Sequence, residues 1–177
     1  MIIQRGAGRQ ALRTGPLAGL FTVLAALVLT ACGTYPGGAM RNTITAHDAE
    51  RRVEDYIRQA ITVLPPQRRL TNPFTSTYAC DDPTDNGPKG RVIATTDYQI
   101  EGLSQDQYDH YLDELKKWWI SHDFRVLQDA RPKAPHIWVE NNTDGFRMAA
   151  QTNDGGEMYI IATSPCVWPE GTPQPSS

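Results

Sequence analysis

The sequence predicts an α+β fold: a two-layer sandwich with two helices packed on one face of a mainly antiparallel sheet of about five strands. Two segments repeat apolar residues with the period of an α-helix, and each is followed by a segment with the alternation of a β-strand. Three further short strands then follow one another, separated by NNTDG and NDGG, which are typical of hairpin turns. Few helices and consecutive hairpins favour helices on one side of an antiparallel sheet.

The first helix is predicted to begin at Thr45, with Asp48 three residues later as its capping-box partner. Its apolar face follows the helical period: Ala49, Val53, Tyr56, Ile57, Ala60, Ile61 and Leu64. Pro65 and Pro66 end it, because proline cannot continue the helical hydrogen bonds. Residues 92–100 then alternate between mostly apolar and mostly polar side chains, which predicts a half-buried strand.

The second helix is predicted to follow a capping box formed by Ser104 and Gln107, with Leu103 and Tyr108 as a hydrophobic staple. Its apolar stripe continues through Tyr111, Leu112, Leu115, Trp118 and Trp119. A strand from residue 124 to 127 comes next, and the segments HIWVE, GFRMAAQT and EMYIIAT complete the sheet.

The N-terminal segment has the layout of a secretion signal. Arg5, Arg9 and Arg13 precede an apolar run over residues 17–29. A basic end followed by a short apolar core is typical of such signals. The run is interrupted by Gly19 and is shorter than the about 20 apolar residues that a bilayer span requires.

The end of this run, Leu-Thr-Ala-Cys at residues 29–32, resembles the lipobox of bacterial lipoproteins. The resemblance implies that the Cys32 thiol is acylated with diacylglycerol and that the chain is cleaved just before Cys32. The alternative is an ordinary cysteine that follows a plain secretion signal. The prediction is therefore a protein at the outer face of the cell membrane, held there by a lipid on Cys32.

Composition divides the chain into four parts. Residues 1–31 are the predicted signal peptide, and residues 32–42, rich in glycine, form a flexible tether. Residues 43–168 form a single α+β domain, and residues 169–177, rich in proline, are predicted to be a disordered tail. The chain after cleavage, 177 residues less 31, has 146 residues, which is enough for one domain with a core.

The charge of the cleaved chain excludes a nucleic-acid footprint. Loss of three arginines leaves 14 basic residues, 17 less three, against 20 acidic ones, a net charge near −6. The remaining basic residues form no cluster larger than pairs such as Arg51-Arg52. Because an acidic domain gains nothing from anionic headgroups, the membrane contact is expected to be the lipid itself.

Cys80 and Cys166 are predicted to form a disulfide, since they are an even pair in an exported and oxidising setting. Metal ligation is the alternative, but two cysteines without CxxC or HxxxH spacing make a poor site. The bridge would close a loop of 86 residues, 166 less 80, for which chain entropy assigns about 4–5 kcal/mol of stabilisation.

The overall layout is similar to that of the LppA-type lipoproteins of mycobacteria and related actinobacteria. The resemblance rests on the lipobox, the order of helices and strands, Cys80, Cys166 and the Asp-Gly-Phe at residues 144–146. It covers about the last two thirds of the chain. Such families are largely of unassigned activity, so the resemblance implies a localisation and a fold and no reaction.

No catalytic motif, cofactor or metal is predicted. Asp81, Asp82 and Asp85 could offer oxygens to Ca²⁺, but their spacing is not that of an EF-hand, and Asp-Pro and Asn-Gly-Pro favour an ordinary turn. His122 could act as a base, or could cap the last carbonyls of the second helix. The sequence contains no GxSxG, HExxH, P-loop or Rossmann glycine pattern.

The leading hypothesis is a non-enzymatic, lipid-anchored domain that binds an envelope protein or a small ligand. A hydrolase acting on cell-wall material, with carboxylates brought together by folding, is the alternative. Tyr111 and Trp118, on the flank of the second helix, are the candidate binding surface. Ordinary packing between the helices is the competing interpretation of these two aromatic residues.

Overall fold

The structure is a computed structural model that describes residues 41–80 and 88–173. Within these ranges, no helix has both the length and the apolar character needed to cross a membrane. The predicted signal peptide, Cys32 and Asp81, Asp82 and Asp85 lie outside the described residues. The described elements, in chain order, are α1 (Ala46–Ala60), β1 (Arg69–Ala79), β2 (Val92–Glu101), α2 (Tyr108–Ser121), β3 (Phe124–Asp129), β4 (His136–Asn141), β5 (Arg147–Thr152) and β6 (Met158–Thr163).

The predicted α+β sandwich is confirmed, with one more strand than expected. The six strands form one antiparallel sheet in the order β1-β2-β6-β5-β4-β3. Helix α1 packs on β2 and β6, and α2 packs on β3 and β4. The additional strand is β1, whose alternation is interrupted at Asn72, with a positive φ of 49°, and at Pro73. Because β1 lies at the edge of the sheet, it lacks the regular apolar face that predicts a strand.

Helix α1 begins where the sequence predicts but ends at Ala60, before the predicted stop at Pro65. The Thr45 hydroxyl accepts a hydrogen bond from the Asp48 backbone N–H at 3.0 Å, which caps the first turn. A 3₁₀ turn, Ile61–Val63, follows the helix before the two prolines. Val53 and Ile57 are fully buried on the side that faces the sheet.

Helix α2 begins differently from the prediction. A 3₁₀ turn, Gln105–Gln107, precedes it, and the Ser104 hydroxyl donates to Asp106 instead of capping a backbone N–H. The apolar stripe is nevertheless correct: Leu112, Leu115 and Trp119 are fully buried. The Trp119 indole N–H donates to the Met148 sulfur at 3.2 Å, so this large side chain is oriented as well as buried.

The predicted disulfide is present. Cys80 follows β1 directly, and Cys166 lies beyond the end of β6, with their Cα atoms 5.7 Å apart. Two hydrogen bonds between Val92 and Val167, of 2.8 and 2.9 Å, extend the sheet toward the bridge. The bridge therefore joins the edge strand β1 to the chain that leaves the centre of the sheet.

Residues 169–173, assigned to the disordered tail by composition, belong to the folded domain. The Thr43 N–H donates to the Gly171 carbonyl at 2.9 Å, and the Ala46 N–H donates to the Pro169 carbonyl at 3.0 Å. These bonds hold the segment against the start of α1, where the Pro169 carbonyl satisfies one of the N–H groups that the first turn leaves unpaired. Composition missed this because backbone carbonyls need no particular side chains.

Candidate functional site

The prediction that Tyr111 and Trp118 form a binding surface on α2 is wrong, because both side chains are buried. Tyr111 is 4% exposed and Trp118 is 9% exposed. The Trp118 ring stacks on the His122 ring, with ring centroids 4.0 Å apart. Its centroid lies 6.3 Å from that of the Phe124 ring. These residues pack between α2 and the sheet and supply no exposed surface to a partner.

His122 lies at the C-terminal end of α2 and binds the last carbonyls of that helix. The backbone N–H of His122 donates to the backbone carbonyls of Trp118 and Trp119, both at 3.1 Å. Its ring Nδ1 lies 2.8 Å from the Trp118 carbonyl oxygen, the position of a donor that satisfies a terminal carbonyl. The capping interpretation of this histidine is the one that the geometry supports.

The surface that remains available for binding is the face of the sheet opposite the helices, which we call the open face. Side chains alternate across each strand, so every second residue of the six strands lies there. One row crosses the sheet from β4 to β1 over roughly 19 Å, with a spacing of about 4.8 Å between neighbouring strands. Its members, paired in register, are Trp138, Ala149, Ile161, Asp97 and Phe74.

A shallow groove of about 630 Å³ lies at the disulfide end of the open face. Tyr78 on β1 and Trp138 on β4 stand at its two sides, 48% and 37% exposed respectively. Ile93 and the disulfide itself contribute to its lining, together with the hairpin glycine Gly145. Two exposed rings beside Ile93 and the disulfide provide flat surfaces on which a ligand can stack.

Charged groups line the β4 side of this groove. The Arg147 guanidinium donates to Glu140 at 2.7 Å and lies 5.4 Å from the centre of the Trp138 ring. Arg125, on the neighbouring strand, pairs with the other oxygen of Glu140. Both carboxylate oxygens of Glu140 are therefore engaged, and the arrangement holds Arg147 in place over the indole.

The groove is more basic than the domain that carries it. Among the residues that the structure describes, Arg91 and Arg147 line it with one acidic group, Glu140, which is itself paired with Arg125 and Arg147. The chain as a whole has 17 basic and 20 acidic residues. Positive charge in this groove favours an anionic ligand, and guanidinium groups bind carboxylates and phosphates through paired hydrogen bonds.

Asp97 lies near the middle of the open face. Its neighbours across the strands are Phe74 and Ile161, and it makes no side-chain hydrogen bond to a described residue. Partial burial raises the pKa of its carboxyl group above the ordinary value. An unpaired acceptor among apolar neighbours is suited to a hydroxyl or amide group of a ligand.

The opposite end of the open face is a closed polar network. Glu157 accepts hydrogen bonds from Asn153 at 2.7 Å, Tyr159 at 3.0 Å and Gln99 at 3.3 Å. Gln99 in turn accepts from Asn72 at 2.7 Å. These side chains satisfy one another, so they stabilise the NDGG hairpin and leave few groups for a ligand.

A cluster of charges between α2 and β3 is also self-contained. Arg131 donates to both oxygens of Asp129, at 2.9 and 2.8 Å, and pairs with Asp113 at 2.9 Å. Lys116 lies 2.9 Å from Asp129 as well. Hydrogen bonds from Arg131 hold the pKa of the Asp129 carboxyl group well below its ordinary value. This cluster attaches the second helix to the sheet.

The Asp-Gly-Phe segment has a structural role of the same kind. Asp144 accepts hydrogen bonds from the Tyr56 hydroxyl at 2.8 Å and from Arg52 at 3.0 Å, which joins α1 to the β4–β5 hairpin. Burial, together with this bond to Asp144, raises the pKa of the Tyr56 hydroxyl. The Phe146 ring, 1% exposed, packs beneath Arg52.

Within residues 41–80 and 88–173, no group of three or more histidine, cysteine or acidic side chains could hold a metal ion. A second groove, of about 490 Å³, runs along α1, but its lining mixes acidic and basic side chains, Asp48, Arg51, Arg52, Glu54 and Asp55, without an aromatic ring. The groove beside the disulfide therefore remains the better candidate site.

Comparison of the chain with protein-family models, with curated proteins and with solved structures found no match.

The residues of the groove were not selected from the sequence, although a signal for them exists. In HIWVE the apolar residues Ile137 and Val139 are buried, and the alternation places Trp138 and Glu140 on the other face. A tryptophan that alternates with the buried residues of a strand can therefore be identified as lying on the exposed face. Its neighbours on the other strands could not be identified without the register.

Proposed function

We propose that the chain is a lipid-anchored, extracytoplasmic binding domain without enzymatic activity, and that its open face binds an anionic ligand. The observation that carries this proposal is the groove beside the disulfide, where exposed aromatic rings and arginines meet on an otherwise acidic domain. The open face has no helix over it among the described residues, so the groove is accessible.

The groove best fits a ligand that combines a flat apolar surface with a carboxylate or phosphate group. The exposed part of the Trp138 ring can stack on such a surface, while Arg147, held over the same ring, binds the anion. Acidic sugars have both features, because their rings present a face of C–H bonds and their carboxylates are bidentate acceptors. The shallow shape favours one stretch of a longer chain over a small enclosed molecule.

The lipid anchor and the outer-face location are proposed from the sequence, as is the likeness to LppA-type lipoproteins. Cys32→Ala is expected to abolish lipidation, since the acyl chain is attached to this thiol, and the protein should then leave the detergent phase in a phase-partition experiment. A Cys32→Ala protein that partitions into detergent as the natural protein does would contradict the anchor.

Ligand binding can be followed through Trp138. Of the four tryptophans, the other three are at most 9% exposed, so added ligand should alter mainly Trp138 fluorescence. The probe is a soluble oligosaccharide of galacturonic acid, titrated into the full chain in detergent. We expect saturable quenching, loss of the signal in Trp138→Phe, and about tenfold weaker binding in Arg147→Gln. The control is Arg69→Gln, which removes an exposed guanidinium at the far end of β1, paired with Glu101.

The same oligosaccharide with its carboxylates methyl-esterified separates charge recognition from stacking. We expect it to bind at least about tenfold more weakly than the acidic form. Equal binding of the two forms, or equal binding by Arg147→Gln and the natural chain, would show that the groove does not recognise the anion. Absence of any binding by acidic sugars and by inorganic phosphate would refute the proposed ligand class.

One feature supports the alternative hypothesis of a hydrolase, namely the raised pKa of the Asp97 carboxyl group. Glycoside hydrolysis uses two carboxyl groups. Glu140 and Glu157, two other carboxylates at the open face, are both engaged by neighbouring side chains. Release of shorter saccharides from the same probe, abolished by Asp97→Asn, would favour the enzyme over the binding domain.

A further inference from the structure

The edge strand β1 presents an uncharged segment, residues 74–79, of sequence FTSTYA. The strand lies at one end of the sheet order and pairs only with β2 among the described residues. Phe74 is 59% exposed and Tyr78 is 48% exposed. An edge strand with unpaired backbone groups, β-forming side chains and no charge is a template on which another strand can add.

The opposite edge of the sheet is protected in ways that residues 74–79 of β1 are not. Strand β3 has six residues, contains an irregularity between Val126 and Gln128, and carries Arg125 and Asp129, both in ion pairs. Irregularities and charges of this kind prevent edge-to-edge association. In β1 the irregularity at residues 71–74 precedes the uncharged segment and leaves it regular.

The uncharged segment is complementary to itself. An antiparallel pairing of two copies about a twofold axis through Ser76 places Phe74 of each copy opposite Tyr78 of the other. Thr75 and Thr77 face the helices, where they contact Thr96 and Glu50. Because side chains alternate along a strand, Phe74, Ser76 and Tyr78 lie on the open face. The same register places Thr75 opposite Thr77 on the face that carries the helices. Aromatic pairs and threonine pairs across strands both stabilise antiparallel sheets.

We propose that two copies of this chain associate edge to edge through residues 74–78 of β1, in this register. The second copy is the partner that the segment fits, since every cross-strand pair in the register joins side chains of the same kind. No pair within it brings two like charges together, although each domain is acidic overall. The product is a continuous sheet with twofold symmetry, in which the two grooves lie on the same face.

The register can be tested by exchanging its aromatic pair for charges in the full chain, purified in detergent and examined by sedimentation velocity. Phe74→Lys with Tyr78→Lys places two lysines opposite each other and should weaken the dimer by at least about tenfold. Phe74→Lys with Tyr78→Glu places opposite charges together in the same register and should restore dimers. Val63→Lys with Ile120→Lys, which changes two exposed apolar residues away from β1, is the control and should leave the dimer intact.

Cross-linking supplies an independent measurement. In Ser76→Cys the introduced thiols meet on the twofold axis, at a separation that a disulfide can span. Oxidation should yield a covalent dimer, whereas Thr95→Cys, the neighbouring position on β2, should not. A natural chain that stays monomeric without a Ser76→Cys cross-link overturns the proposal, and so does a double-lysine variant that dimerises like the natural chain. Failure of the lysine–glutamate variant to recover overturns the register.

Discussion

The two faces of the sheet are made by the same strands and have opposite chemistry. In β4, Ile137 and Val139 are fully buried under the helices, while Trp138 and Glu140, their immediate neighbours, lie on the open face with Arg147. The covered face is apolar and is sealed by α1 and α2. The open face combines exposed rings, arginines and a carboxyl group without a side-chain partner among the described residues.

This difference separates stability from binding. Burial of apolar area under the helices supplies most of the favourable free energy of folding. Exposed rings and charges contribute little to folding, and a face of this kind marks a site of interaction. Substitutions on the two faces should therefore have different consequences, even when they are adjacent in sequence.

The largest expected effect comes from the bridge at the rim of the open face. Replacement of Cys80 and Cys166 together by alanine should lower the free energy of unfolding by about 4–5 kcal/mol, because the bridge closes an 86-residue loop. Thermal denaturation, followed by circular dichroism, measures the loss. Reducing agent should lower the melting temperature of the natural chain and leave that of the double variant unchanged.

The next effect compares the two faces directly. Trp119→Ala should destabilise the domain by about 3–5 kcal/mol, since it removes a fully buried ring and its bond to Met148. Trp138→Ala, on the open face, should cost no more than about 1 kcal/mol and should abolish ligand binding. Chemical denaturation of Trp119→Ala and Trp138→Ala measures the two losses in the free energy of unfolding. Equal losses of stability would break the distinction between the faces.

A smaller effect concerns the polar attachment of α2 to the sheet. Asp129→Asn should destabilise the domain by about 1–3 kcal/mol at neutral pH, because Arg131 and Lys116 lose their shared carboxylate.

This attachment also predicts a pH dependence. The pKa of Asp129 is lowered in the folded state, so its contribution is complete above the ordinary value of 3.8 and is lost as the pH falls toward the folded value. The natural chain should therefore lose more stability than Asp129→Asn in acid. Glu114→Gln, which removes a partly exposed carboxylate paired with Lys117, is the control. If Asp129→Asn and the natural chain lost equal stability as the pH was lowered, this role of Asp129 would be excluded.

The smallest expected effect is local to α1. Thr45→Ala removes the hydroxyl that accepts the Asp48 N–H and should cost about 1 kcal/mol. Thr45→Ser keeps the hydroxyl and serves as the control. A melting temperature of Thr45→Ala equal to that of Thr45→Ser would show that the cap contributes nothing.

The sequence by itself determined the features that depend on neighbours along the chain. The cap at Thr45, the two hairpins and the apolar stripe of α2 all follow from local hydrogen bonding and side-chain periodicity. The disulfide was also predicted from the sequence, because Cys80 and Cys166 remain as an even pair once Cys32 is assigned to the expected lipid anchor.

The tertiary structure decided what depends on contacts between distant segments. Strand β1 is held by its hydrogen bonds to β2, and its own pattern is obscured by Asn72 and Pro73. The burial of Trp118 depends on the position of Phe124, and the groove depends on a register that brings Arg147 beside Trp138. Periodicity tells which residues of one element share a face, but only the packing of the elements decides which of those faces water still reaches.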